Sequence, residues 1–306
     1  MNTSAIKAFV IATEENSFSQ AAEKLHLTQP GISKRIQTLE NSLNCQLFDR
    51  IGRRIFLTQA GEEFLPHAYR ILQAAQNGLN AVANLSSQVG GEFKVATTQH
   101  IGLHHLKVPV KDYVQRYPQV AFSLDFIHSS QAYTQVLQGK LELAVITEPT
   151  TIDSDLHFVP IHLEKLKFVC SNEHPLTQQL DLTLALVSQY PAVLPDTNSY
   201  TRRIIDQLFK DQQLMINAST PSNYLEAIKV LVSAGLGWSV LPESLIDDSL
   251  HLLPISELDF SESKLGNSEQ APLNLARQIG YLVHRQRSLS NADHAFIESL
   301  SATVQT

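Results

Sequence analysis

The sequence predicts an α/β protein in three parts: a small helical unit closed by a hairpin, one long helix, and a large domain of alternating strands and helices. Three observations predict it. Helical spacing with capping residues fills the first sixty positions, an apolar stripe at steps of three and four runs from Leu65 to Val82, and strand and helix patterns alternate from Glu92 onward. The 306 residues suffice for two domains, since a domain takes roughly 150, and a 43% hydrophobic composition can fill their cores.

Ile6, Phe9, Val10 and Thr13 follow helical spacing, which places a first helix over about residues 4–14. Ser17 with Gln20 three positions on has the form of a capping box, and Ala21, Ala22 and Leu25 continue as the apolar face of a short second helix. A third begins almost at once. Thr28 caps it, Pro30 sits in the first turn where a missing N–H costs nothing, and Ile32, Ile36, Leu39 and Leu43 line its inner side. Ser33, Lys34, Arg35 and Gln37 are left facing out. Two short helices joined by a tight turn, the second polar and basic outside, is the arrangement that sets a recognition helix in the major groove of DNA. Gln29 and Ser33 can reach base edges, while Lys34 or Arg35 and the free N–H groups of the first turn can meet phosphates.

The following stretch, LFDRIGRRIFLT, reads as a hairpin with Phe48 apolar, Gly52 at the turn, and Ile55 and Leu57 alternating. Arg50, Arg53 and Arg54 crowd its tip, forming a basic wing suited to phosphates or the minor groove. Charge supports this division. The net charge is −7, which argues against a protein that coats nucleic acid, yet residues 1–60 carry +2 and the remainder −9.

Other properties of the chain exclude whole classes. Apolar residues never run to the roughly 18 positions a membrane span needs, and the N-terminus has no basic-then-apolar signal pattern. A cytoplasmic protein with no membrane partner is expected. Cys45 and Cys170 form no CxxC pair or short spacing, so both are expected to be structural thiols in a reducing compartment.

The stretch FVIATEENSFSQAAEKLHLTQPGISKRIQTLENSLNCQLFDRIGRRIFLTQAGEEFL resembles the winged helix-turn-helix of LysR-type transcriptional regulators almost position for position. The likeness includes the Ser-Phe-x-x-Ala-Ala start, Thr-Gln-Pro-Gly-Ile-Ser, Leu-Phe-x-Arg before the wing and Leu-Thr-x-Ala-Gly after it. It implies that Thr28, Gln29, Pro30, Ser33, Lys34 and Arg35 contact DNA from the recognition helix, and that Arg53 or Arg54 does so from the wing. Double-stranded promoter DNA is then the expected partner.

From Gly61, Leu65, Ala68, Leu72, Ala75, Leu79 and Val82 form a heptad seam. So narrow a stripe would gain little alone, so it is expected to pair with another copy or with the first helix. In the resembling family it is the linker helix of an antiparallel dimer, which assembles further into a dimer of dimers. SSQVGG, residues 86–91, reads as a flexible joint.

Strand, helix, strand, helix, strand follow as EFKVATTQH, IGLHHLKVPVKDYVQRYPQV, AFSLDFIH, QAYTQVLQGK and LELAVIT, which means a parallel sheet. In the long first helix Leu103, Leu106, Val110 and Val114 share one side. LKFVCS, AVLP, YTRRIIDQLF, NYLEAIKVLVSAG, GWSVLP and a return strand ARQIGYLVHR repeat the theme before a last helix. Ligands of such sheets sit at the carboxyl ends of strands. That rule selects Thr97, Thr98, Gln99 and His100 after the first strand, Ser129 and Ser130 after the second, Thr147 and Glu148 after the third, and residues 198–201 ending at Thr201 before a helix. Their hydroxyls suit a small polar or anionic ligand, and serve equally as helix caps.

The resemblance extends here to the periplasmic-binding-protein-like effector domain of the same regulators, through SAGLGWSVLP and the HPL after VCSNE. It implies residues 1–58 as the DNA-binding domain, 59–88 as the linker helix and 89–306 as the effector domain. Within the last, a first subdomain spans about 92–163 with 270–306 and a second about 164–269. VATT followed by His100, VITE and YTRR are similar to sulfate-contacting stretches of the branch that includes the cysteine-biosynthesis regulator. That likeness points to Thr98, His100, Thr147 and Thr201 and to a sulfur metabolite, although His100 and Ile101 stand where that branch prefers threonine and glutamine.

His100, His104 and His105 have a spacing that shares one helix face, but no further ligand or cysteine lies nearby in the sequence, so neither metal nor cofactor is expected. GLGW is too short for a dinucleotide fingerprint, and there is no nucleophile elbow or acid pair, so catalysis is not expected. Two alternatives stand beside the ligand-responsive regulator: a solute-binding protein without DNA readout, and a metal-sensing regulator using the three histidines.

Overall fold

The computed structural model describes residues 2–302, apart from 53, 87, 198, 219–221, 223 and 256–274. Helices α1 (Thr3–Glu15), α2 (Phe18–Lys24) and α3 (Gln29–Leu43) open the chain. The side chains of Asn2, Ser17 and Thr28 accept the N–H groups of Ser4, Gln20 and Gly31, so each helix begins where local chemistry requires. Asn16 and Asn44 end α1 and α3 in the left-handed region, which asparagine tolerates. Ile6, Phe9, Ile32, Ile36 and Leu39 are fully buried. Phe48, on β1 (Phe48–Ile51), meets the rings of Phe9 and Phe18, and β2 (Arg54–Leu57) pairs antiparallel with β1.

Helix α4 (Gln59–Ala83) divides into two halves. Leu65, Ala68 and Leu72 pack into the N-terminal core, whereas Leu79 and Val82 are 66% and 69% exposed. Along the same C-terminal half, Asn77, Asn80 and Asn84 donate to the carbonyls of Gln286, Ser288 and Leu289. Asn291 in turn donates to the carbonyls of Ser86 and Gln88, so the expected flexible joint has its described backbone held.

The large domain has two lobes on a continuous sheet of order β4-β3-β5-β9-β6-β7. The first lobe contains β3 (Gly91–Thr97), α5 (Gln99–His104), α6 (Lys107–Arg116), β4 (Val120–Phe126), α7 (Ser129–Leu137) and β5 (Leu143–Thr147). Strand β3 runs parallel to both β4 and β5. A 15-residue strand, β6 (Leu156–Cys170), then leaves for the second lobe. That lobe holds α8 (Leu184–Val187), α9 (Tyr200–Asp211), α10 (Leu225–Ser233), β7 (Ser239–Pro242) and β8 (His251–Leu252). Strand β9 (Ala276–His284) returns antiparallel to β6 and β5, and α11 (Asn291–Ala302) closes the first lobe. Strands β6 and β9 are therefore the two covalent straps between lobes. They approach closely at Gly280, where an added Cβ would lie 2.2 Å from the Val159 carbonyl oxygen.

Three expectations are corrected. The helix expected over residues 101–120 breaks at His105 and Leu106, because Pro109 has no N–H and its ring would collide with the carbonyl four residues back. The buried residues there are Ile101, Leu106, Pro109 and Tyr113, while Leu103 and Val114 are exposed. AVLP, enclosed by Pro191 and Pro195, makes only isolated parallel bridges through Ala192, since proline cannot donate to a ladder. The second lobe is also less parallel than expected, for β7 and β8 both run antiparallel to β6.

Candidate nucleic-acid interface and effector cleft

At the N-terminal end of α3, Thr28, Gln29, Pro30 and Lys34 are exposed, and Ser33 and Arg35 partly so, because Ile32, Ile36 and Leu39 turn the opposite face inward. Gln29 Nε2 donates to Ser33 Oγ at 3.1 Å, joining two polar side chains on the outer face of the helix start. Gln29, Ser33, Lys34 and Arg50 line one concavity between α3 and the hairpin.

The hairpin register separates the arginines that the sequence crowds together. Arg50 pairs with Ile55 and Arg54 with Ile51, so the two occupy opposite faces of the ribbon. Arg50 lays its guanidinium 4.9 Å from the Phe18 ring centre, while Arg54 borders a separate hollow beside Glu15, Asn16 and Gln20. Arg53 lies outside the described residues.

Between the lobes is a cavity of about 490 Å³. Thr98, Gln99, His100, Ser129, Thr147 and Thr201 all line it. Thr97 is absent from that wall: it is fully buried and its hydroxyl donates to Val145 O at 2.8 Å, a bond between sheet neighbours. Ser199, Tyr200, Asp196, His128 and Arg277 complete much of the polar lining.

Sequence reading missed the group that organises this cavity. Glu164 on β6 and Arg277 on β9 are register partners, so their side chains emerge together from the straps, with Nη2 and Oε2 2.5 Å apart. The pair touches both lobes. Arg277 Nη1 donates to Thr201 Oγ1 at 2.8 Å on α9, while Glu164 Oε1 accepts from His100 Nε2 at 2.8 Å and His105 Nε2 at 2.7 Å in the first lobe. Burial alone would push the Glu164 carboxyl up; hydrogen bonds from His100 and His105 with the Arg277 charge overcome it and hold it well below the usual range. Burial likewise disfavours charged His100, but Glu164 and Glu226 outweigh it and raise its pKa.

Glu226, the second residue of α10, reaches across from the other lobe. Its Oε1 is 3.2 Å from His104 Nε2 and 3.4 Å from His100 Nδ1. Sixty-four and 122 residues separate His100 from Glu164 and His104 from Glu226, so no local spacing could have found these partners.

Residues 86–305 match the LysR substrate binding domain, and residues 3–62 match the bacterial regulatory helix-turn-helix protein, lysR family. The chain is 28% identical over 298 residues to the uncharacterized HTH-type transcriptional regulator YwqM of Bacillus subtilis, covering 97% of each. It is 32% identical over 248 residues to a probable RuBisCO transcriptional regulator of Cyanophora paradoxa, covering 79% of this chain and 76% of that one. Among solved structures, a full-length OxyR variant from Pseudomonas aeruginosa has the same fold, with a TM-score of 0.72 at 22% identity over 100% of this chain and 95% of that one. Full-length CbnR complexed with its target DNA gives 0.61 at 20% identity over 99% and 100%.

Proposed function

The chain belongs to the LysR family of bacterial helix-turn-helix regulators, and we propose that it reads promoter sequence through α3 and answers to a small polar ligand held between the lobes. As a member of that family it is a DNA-binding transcription regulator with an effector-binding domain, and the family consists of regulators rather than enzymes. Among the described residues no helix is long and apolar enough to cross a membrane, and a cytoplasmic site of action accords with the DNA target.

The observation that carries the ligand half is the strap pair. Glu164 and Arg277 spring from the two straps and bond to opposite lobes, so a ligand that closes or opens the cavity between Thr98, Thr147 and Thr201 would strain or relax the same bonds. Such a ligand acts only if it binds the two lobe arrangements with different affinity. The DNA half assigns base reading to Gln29 and Ser33, phosphate contact to Lys34 or Arg35 and the free N–H groups of the first turn, further contacts at the helix start to Thr28 and Pro30, and wing contact to Arg54. The exposed seam of α4 pairs copies into dimers, and those into a dimer of dimers.

For the ligand, the likeness of VATT, VITE and YTRR to sulfate-contacting stretches of the branch containing the cysteine-biosynthesis regulator nominates a sulfur metabolite, touched by Thr98, His100, Thr147 and Thr201. Among sulfur-pathway metabolites the wall favours a zwitterion such as O-acetylserine over the sulfate and thiosulfate dianions, since the Arg277 charge is spent on Glu164 and Asp196 also lines the cavity. Calorimetry with sulfate, thiosulfate and O-acetylserine tests the nomination: heat with one, lost in Thr98→Val, is expected, and no heat with any removes the sulfur reading.

A further inference from the structure

The sequence sets aside His100, His104 and His105 for want of another ligand, and the fold supplies one. We propose that His100, His104 and Glu226 form a binding site for a divalent transition metal of the zinc class, bridging the two lobes at the edge of the effector cavity.

Four observations meet here. First, the ligand atoms lie within 4.8 Å of one another, and the edges from Glu226 Oε1 to His104 Nε2 and His100 Nδ1 measure 3.2 and 3.4 Å. Zinc bonds of roughly 2.0–2.1 Å in a tetrahedron require edges of about 3.3 Å. Second, His100 is 4% exposed, yet its Nδ1 has no hydrogen-bond partner, and neither does Glu226 Oε2. Unpaired buried polar atoms of this kind are costly unless something meets them. Third, His100 Nε2 bonds to Glu164 Oε1, which Arg277 holds in place, so the ring's other nitrogen, Nδ1, faces Glu226, where a metal ion would replace any proton on it. A carboxylate fixing the far nitrogen of a metal-bound imidazole is the usual outer support of such sites. Fourth, the His104 side chain is 32% exposed, leaving a side open for water or a ligand group to complete the coordination.

The neighbouring set of His100, His105 and Glu164 is a poorer candidate despite equal proximity, because a divalent ion there would stand against the Arg277 guanidinium. Two imidazoles and one carboxylate suit zinc, cobalt or nickel better than calcium or magnesium, which prefer all-oxygen shells. The histidines belong to α5 in one lobe and Glu226 to α10 in the other, so the ion ties the lobes together. Its regulatory consequence rests on the cleft reading above, whereas metal binding itself does not.

The test uses untagged full-length protein, stripped with a chelator and titrated with cobalt(II) while visible absorption is recorded, then with zinc(II) by calorimetry. One equivalent per chain is expected, with the intense absorption of four-coordinate cobalt. His104→Gln and Glu226→Gln lower the affinity at least tenfold, Glu164→Gln lowers it about 10–100-fold as an outer support, and His67→Gln on α4 changes nothing. Absence of cobalt uptake, or equal uptake by wild type, His104→Gln and Glu226→Gln, overturns the proposal. Thr98→Val separates the two readings: it keeps metal uptake while losing the polar ligand, and wild-type protein that binds cobalt yet no polar ligand contradicts the cleft reading alone.

Discussion

Arg50 and Arg54 stand on one short hairpin but face opposite ways. Arg50 shares its face with Phe48 and Ile55 and stacks on Phe18, so Arg50→Ala should lower the melting temperature by a few degrees through the loss of about 0.5–1 kcal/mol of cation–π contact. Arg54→Ala should leave melting unchanged, weaken binding to all DNA sequences alike and flatten the salt dependence by about one counterion. Ser33→Ala or Gln29→Ala should instead relax preference at one or two base positions, each worth roughly 1–3 kcal/mol. Gel shifts on matched and scrambled sites at two salt concentrations decide among these; equal losses for all three classes would reassign the recognition helix. At the strap pair, Glu164→Gln leaves Arg277 buried without its counter-charge and should cost about 3–5 kcal/mol in denaturant unfolding. A loss below 1 kcal/mol would mean that the pair is dispensable. The sequence discloses these residues unevenly. Thr28, Pro30 and Ser33 declare themselves because capping and helix phase act over four residues, whereas Glu164 and Arg277 are 113 residues apart and meet only through the register of β6 and β9.

Among the elements, α4 has the most divided role. Its first half is held by Leu65, Ala68 and Leu72, and Tyr69 extends the contact by donating to Glu14 on α1. Its second half turns asparagines to the 286–291 segment and leaves Leu79 and Val82 outward. Leu79→Glu should shift the oligomer toward monomer in sedimentation at micromolar concentration, with the fold of each chain intact. An unchanged sedimentation coefficient would place the copy-to-copy contact elsewhere. Heptad spacing made this helix legible as a stripe, but the hydrogen-bonding asparagines lie on a different face that no apolar pattern can mark. The broken helix at His105 is hidden for another reason: in the sequence a proline can start a new helix or kink one that continues, and the buried Leu106 and Tyr113 fit the new start that Pro109 imposes.

Across the whole molecule, a physical path runs from cleft to DNA-binding unit. The segment after β9 carries the carbonyls that hold α4, and Lys140, at the end of the first lobe's α7 turn, lies 3.4 Å from Glu14 and over the Tyr69 ring. If the proposed cleft ligand changes the lobe arrangement at the β6 and β9 straps, these contacts are the route by which α4 would feel it. The three-part architecture is legible in sequence because each part has its own period; the strap chemistry is not, because it exists only where distant strands meet. The central claim, that α3 reads promoters, is tested most directly by chromatin immunoprecipitation with sequencing of the wild type against a Ser33→Ala, Lys34→Ala double variant that is shown to fold. Discrete promoter sites in the wild type, lost in the variant, are the predicted result; the same sites at full strength in the variant, or none in the wild type under varied growth conditions, would contradict it.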